Sequence, residues 1–168
     1  MSDRVSATIT IGGLVPAARL NDLLDAIEAE DLGPDWDVRF DSRDDILAHL
    51  VNGAAGAFFC RLEVASGEFE DLQAACVEIG LSYVLTYGGS GGQWGPGRRI
   101  WRPGDAGYGL TCSLNAEDGY ACASANDIRG WGFVDLQQVL ERLALFDDPH
   151  VPPLEIEGQS SVGAGDAP

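Results

Sequence analysis

Strict alternation opens the chain. In SATITI, Ala7, Ile9 and Ile11 face one way and Ser6, Thr8 and Thr10 the other, which predicts a half-buried strand. Gly12 and Gly13 then turn the chain, and Pro16 suits a first helical turn. Leu20, Leu23, Leu24 and Ile27 recur at i, i+3, i+4 and i+7, opposite Asp22, Asp25 and Glu28. That spacing predicts an amphipathic helix, stopped by LGP at 32–34.

The period returns to two in DWDVRFD, a second strand with Trp36, Val38 and Phe40 inward. Ser42 is placed to cap a short helix running to about Val51, with Asp44 and Asp45 at its positive end. In AFFCRLEV, alternation puts Phe58, Cys60, Leu62 and Val64 on one face of a strand and Phe59, Arg61 and Glu63 on the other. SGEFEDLQAACVEIG predicts a helix with Ser66 as cap, a stripe of Phe69, Leu72, Cys76 and Ile79, and Gly80 as stop. LSYVLTY follows as a strand. The order β-α-β-(α)-β-α-β over residues 6–87 is the split β-α-β pattern of a ferredoxin-like core.

Beyond it, RRIWR predicts a short strand and YGLTCSLNAEDGYACAS a hairpin. In WGFVDLQQVLERLALF, Leu136, Val139, Leu140 and Leu143 form a helical stripe, and LEIE an edge strand. The expected organisation is an α+β protein. Residues 1–87 form the ferredoxin-like core and 88–107 a glycine-rich loop. Residues 108–157 form a C-terminal hairpin and helix extension packed on the core, and 158–168 a disordered tail with nothing to bury.

Charge narrows the choice of partners. The 168 residues carry a formal charge of −17, with no lysine and ten arginines. Such a field repels nucleic-acid backbones and anionic lipid, so neither direct nucleic-acid binding nor a membrane is expected. No apolar run approaches the length of about 18 residues that spans a bilayer. The opening MSDRVSATITIGG lacks a basic region before an apolar core, which predicts a cytoplasmic protein. The acids read as solvated faces; the alternative is a surface that imitates DNA phosphates.

Cys60, Cys76, Cys112 and Cys122 include no C-x-x-C, and neither His49 nor His150 has ligand-like spacing, so no metal and no cofactor are expected. Reduced, structurally passive thiols fit a cytoplasm. Cys112 and Cys122 are symmetric about Glu117, and a hairpin centred there would set them opposite one another. Asp45 and His49 have helical pair spacing, but no nucleophile accompanies them.

The most unusual stretch is Tyr87–Gly107, YGGSGGQWGPGRRIWRPGDAG. Gly92–Gly97 spell G-x-x-x-x-G, but Arg98 and Arg99 stand where a phosphate loop needs lysine and a hydroxyl, and Pro96 removes an amide. Loop entropy favours a flexible connection. Tryptophan and arginine are also the residues that anchor protein interfaces, which makes Trp94, Arg98, Arg99, Trp101 and Arg102 the candidate partner-binding residues.

Gly67-Glu68-Phe69, Leu72, Cys76, Gly80, Tyr83 and Arg102-Pro103-Gly104, within residues 67–104, resemble a segment of an uncharacterised bacterial family of plasmid and prophage type. That family has no assigned activity, so the resemblance implies an accessory role and carries over no functional residue. The expected function is a non-enzymatic module that binds an unidentified protein. The alternatives are an acidic DNA mimic that inhibits a restriction or defence protein, and an enzyme of unknown type.

Overall fold

The alternation of SATITI extends both ways, into a twelve-residue strand β1 (Arg4–Val15). Val5, Ala7, Ile9 and Ile11 are buried on one of its faces, and Thr8 and Thr10 are half-buried on the other. β1 lies inside the sheet, antiparallel to β2 (Ala57–Ala65) on one side and β3 (Ser82–Tyr87) on the other. The computed structural model describes residues 4–53, 55–132 and 135–159. Over these the chain is α+β. Its sheet runs β2-β1-β3-β4-β5-β6, with β4 (Gly97–Trp101), β5 (Leu110–Leu114) and β6 (Ala121–Cys122), and β7 (Leu154–Ile156) lies parallel to the end of β1.

Helices cover the two faces unequally. α1 (Leu20–Ala29), α2 (Arg43–Asn52) and α3 (Glu70–Ile79) pack Leu23, Ile27, Leu50 and Leu72 onto Ile9, Ile11, Phe59 and Leu85. On the opposite face the second cluster gathers Val84, Ile100 and Cys112 under Phe146 and Leu143 of α5 (Leu136–Asp147). α4 (Ala125–Trp131) adds Trp131 to its margin. The first helix layer therefore sits over β2, β1 and β3, and the second over β3, β4 and β5.

β2 and β3 are both antiparallel to β1, so they run parallel to each other and flank it. With α3 between them they make one split β-α-β unit. A second unit would need a strand at 35–41, and that segment makes turns instead. The Asp35 carboxylate accepts the Trp36 amide (2.7 Å), and Val38 N–H donates to the Asp35 carbonyl (3.2 Å). An aspartate that captures a neighbouring N–H competes with a sheet ladder. Among the described residues of this stretch, backbone pairing with β2 is confined to Gly33, through a bridge to Cys60. Trp36 and Val38 are consequently exposed rather than inward, while Phe40 packs against the core.

Other local expectations shift by small amounts with large consequences. A bulge in β2 sets one residue of β1 (Ser6, between Val5 and Ala7) against two of β2 (Leu62 and Glu63, between Arg61 and Val64), with Glu63 at a left-handed φ of 58°. The extra residue returns Val64 to the face of Phe59, away from Phe58 and Cys60. Ser42 caps α2 as expected, its hydroxyl accepting from Asp45 N–H. Ser66 does not cap α3: it sits at φ 56° three residues before the N-cap, Phe69. Instead Glu30, at the end of α1, accepts the Asp71 amide (2.9 Å), and Gln73 accepts that of Phe69 (3.0 Å).

In the β5–β6 hairpin Ser113 pairs with Cys122 and Leu114 with Ala121, so the turn centres between Glu117 and Asp118. That half-step, a register shift of one residue, sends Cys112 into the core and Cys122 to solvent rather than setting them opposite. The Cys112 thiol donates to the Cys122 carbonyl (3.4 Å). On α5 Val139 and Phe146 are buried and Leu143 half-buried beside them, whereas Leu136 and Leu140 are exposed; Asp135 caps the helix, which begins after Trp131 has closed α4. Of the expected tail, 160–168 lies outside the described residues.

Candidate functional site

The glycine-rich stretch is the connection of an antiparallel hairpin, β3 to β4, so the sheet crosses it without a break. Gly88 N–H donates to the Ser6 carbonyl (2.9 Å), and a turn closes between Ser90 and Trp94 (3.1 Å). Trp94 is half-buried in that turn. The other four candidates alternate along β4 and its end, which sends them to different places.

Arg98 shares a face with Ile100, under α5. Its Nε donates to Thr86 Oγ1 (3.1 Å) and its Nη1 to the Phe146 carbonyl, so it fastens β4 to the end of α5. Burial lowers its pKa, partly opposed by Asp147. Arg99 points to the other face and pairs with Glu68 (2.7 Å). Trp101 is buried on that same face. Arg102 is exposed, and its amide donates to Asp105 (2.8 Å). The five therefore do not converge, and Arg98, Arg99 and Trp101 are engaged inside the fold.

Arg99 does line a cleft of about 230 Å³ with Glu68, Glu70, Gln73 and Tyr108. Behind it runs a closed chain of hydrogen bonds. Buried Gln73 donates to the Tyr83 hydroxyl (3.2 Å), which donates to the Tyr108 carbonyl (2.8 Å). Burial raises the Tyr83 pKa, which keeps the phenol a neutral donor. These groups satisfy one another. Burial likewise pushes the Cys76 thiol well up, which makes it a packing residue. His49 is not paired with Asp45: its Nε2 meets the Phe58 carbonyl (2.7 Å) and its ring packs between Phe40 and Phe59.

The acids of α1 are tied to arginines. Asp22 pairs with Arg19 (2.6 Å), and Asp25 and Glu28 with Arg43 (2.7 and 3.1 Å). Among the described residues, no three His, Cys, Asp or Glu side chains gather so as to hold a metal ion. No described helix is long and apolar enough to cross a membrane.

The offset of the two helix layers leaves one apolar surface uncovered. On the face opposite α1 and α3, the β1–β2 half of the sheet carries Thr8 beside Cys60 and Thr10 beside Phe58. Phe58 is 41% exposed, and Leu62, in the bulge, 47%. Cys60 is covered by Gly33, whose carbonyl accepts from its thiol (3.7 Å). The signal for this surface was present in AFFCRLEV: large apolar residues at both 58 and 59 mean a strand apolar on both faces, and the core takes only Phe59. No family model matches the chain, and comparison with curated proteins and with solved structures finds no match.

Proposed function

We propose that the chain is a non-enzymatic protein-binding module of the cytoplasm, an accessory protein whose partner docks on the bare face of β1 and β2. The observation that carries this reading is the exposure of Phe58 and Leu62 on a sheet face that no described helix covers. Large apolar side chains rimmed by polar ones are how a surface gains energy from excluding water. The polar rim is Ser6, Thr8 and Thr10 along β1. The arginine ties on α1 speak against the DNA mimic, which needs free carboxylates at phosphate-like spacing.

The test is capture from the lysate of the native host, quantified by mass spectrometry. Phe58→Ser with Leu62→Ser should lower recovery of the specific partner by about tenfold or more, as expected when hot-spot residues are removed. Trp94→Ala with Arg102→Ala should leave it unchanged. If the second pair abolishes capture and the first does not, the glycine-rich loop is the interface and the sheet face is not.

A further inference from the structure

The inference deepens that reading, and rests on it, by giving the partner's chemistry. The bare strip is two strands wide. At about 4.8 Å per strand this leaves about 10 Å, the diameter of one helix with its side chains. The fold itself shows how such a strip is filled: on the adjoining half of the same face, α5 lays Leu143 and Phe146 onto Val84, Ile100 and Cys112. An added strand has less access, because both edges of β1 are paired and Gly33 holds the outer edge of β2 at Cys60.

The strip has acidic walls. On the β2 side, the segment bridged through Gly33 carries exposed Asp35 and Asp37, and the Asp35 charge is felt at the Cys60 thiol. The Arg39 charge acts on that thiol in the opposite sense, and Arg39 is paired with Asp31 (3.8 Å). On the other side, a groove of about 500 Å³ brings Thr10 and Val84 together with Asp148, His150 and Val151 from the connection between α5 and β7. A second copy of this chain would bring a further −17 to the surface, which opposes self-association. We propose that this strip seats a cationic amphipathic helix of another protein, with its apolar residues on Phe58 and Leu62 and its lysines or arginines against Asp35, Asp37 and Asp148.

The probe is a synthetic peptide of about 14 residues, with leucines at i, i+3, i+4 and i+7 and lysines elsewhere. It is titrated into the full chain and followed by fluorescence anisotropy and amide NMR shifts. Shifts should concentrate at Thr8, Thr10, Phe58 and Leu62, and affinity should fall at least tenfold in Phe58→Ser. Thr8→Arg, a change on the half-exposed face that spares the core, should weaken binding to a similar degree. A scrambled peptide of equal charge should bind at least tenfold more weakly. Equal binding of the scrambled peptide, shifts elsewhere, no binding, or Phe58-dependent dimerisation in sedimentation would each overturn the proposal. If the peptide fails while host capture still depends on Phe58, the cationic helix is wrong and the binding face stands. If both fail, both readings fall.

Discussion

The ring of Tyr83 stacks on that of Trp101, with centroids 6.1 Å apart and planes 16° from parallel. The two are register partners on β3 and β4, so the stack joins the first half of the sheet to the second across the glycine-rich loop. Tyr83 in turn is tied to Gln73 of α3 and to Tyr108.

Trp101 is therefore a core residue. Trp101→Ala should destabilise the fold by about 3–5 kcal/mol in urea unfolding, the usual cost of emptying a large aromatic site. Trp101→Phe should cost less than half of that, since the ring contact survives. The Trp101 Nε1 proton has no hydrogen-bond partner among the described residues, so its removal sacrifices no bond. An unchanged midpoint for the alanine variant would return Trp101 to the surface.

The sequence was most readable where one helix or strand face alone decides the outcome. Leu23, Leu24 and Ile27, and Phe69, Leu72 and Cys76, lie where their spacing puts them, and Ser42 caps its helix, because each depends on neighbours within a turn or two. What could not be read depends on contacts distant in sequence. The turn at 35–38 arises because Asp35 takes the next amide and the backbone pairing with β2 stops at Gly33. The N-terminus of α3 is satisfied from α1, by Glu30, 41 residues away. The candidate interface was hidden for the same reason. Nothing local distinguishes Phe58 from Phe59, and only the lateral offset of the two helix layers leaves Phe58 uncovered.

Thiol reactivity follows from the hairpin register. Cys60, Cys76 and Cys112 are buried, and Cys122 is exposed. Burial raises the pKa of the first three thiols, which leaves fewer thiolates to react. Native protein should therefore label at one thiol of its four with a maleimide, and peptide mapping should find the label on Cys122. Labelling of the other three should wait for denaturant. Equal labelling of Cys112 in native protein would mean that the hairpin centres on Glu117 after all.

Two glycines of the region around the loop should behave oppositely. Gly67 holds φ at 70°, and a Cβ there would stand 2.6 Å from Tyr87 Cβ. Gly67→Ala combines backbone strain with a clash against a fixed atom, and should cost about 1–3 kcal/mol. At Gly91 a Cβ meets nothing within 4 Å, and no left-handed φ is required. Gly91→Ala should be neutral, or stabilising by up to about 1 kcal/mol, by removing freedom from the unfolded chain. Thermal unfolding of the two variants side by side reads the difference. A large loss at Gly91 would show that the turn between Ser90 and Trp94 has another geometry.

Glu30 gives the fold a pH dependence of unusual sign for a carboxylate. It is half-buried at the junction of α1, β2 and α3, and burial raises its pKa above the ordinary 4.5; the Asp71 amide bond and the Arg61 charge oppose the rise, and the Asp71 charge adds to it. Below pH 4.5 the group is protonated in both folded and unfolded chains and contributes no penalty. As pH rises past that value the unfolded chain loses its proton first, so Glu30 weakens folding until the pH has passed its folded pKa, and the penalty is constant beyond. Glu30→Gln removes the titration, and its side-chain carbonyl still accepts the Asp71 amide. The variant should therefore gain stability relative to wild type as pH rises from 4 to 7, with the gap between them levelling off at neutral pH. Urea unfolding of both proteins at each pH measures that gap. A flat gap would show that the Asp71 amide and Arg61 cancel the effect of burial, and a gap that moves in favour of wild type that they outweigh it and Glu30 acts as an ordinary stabilising cap.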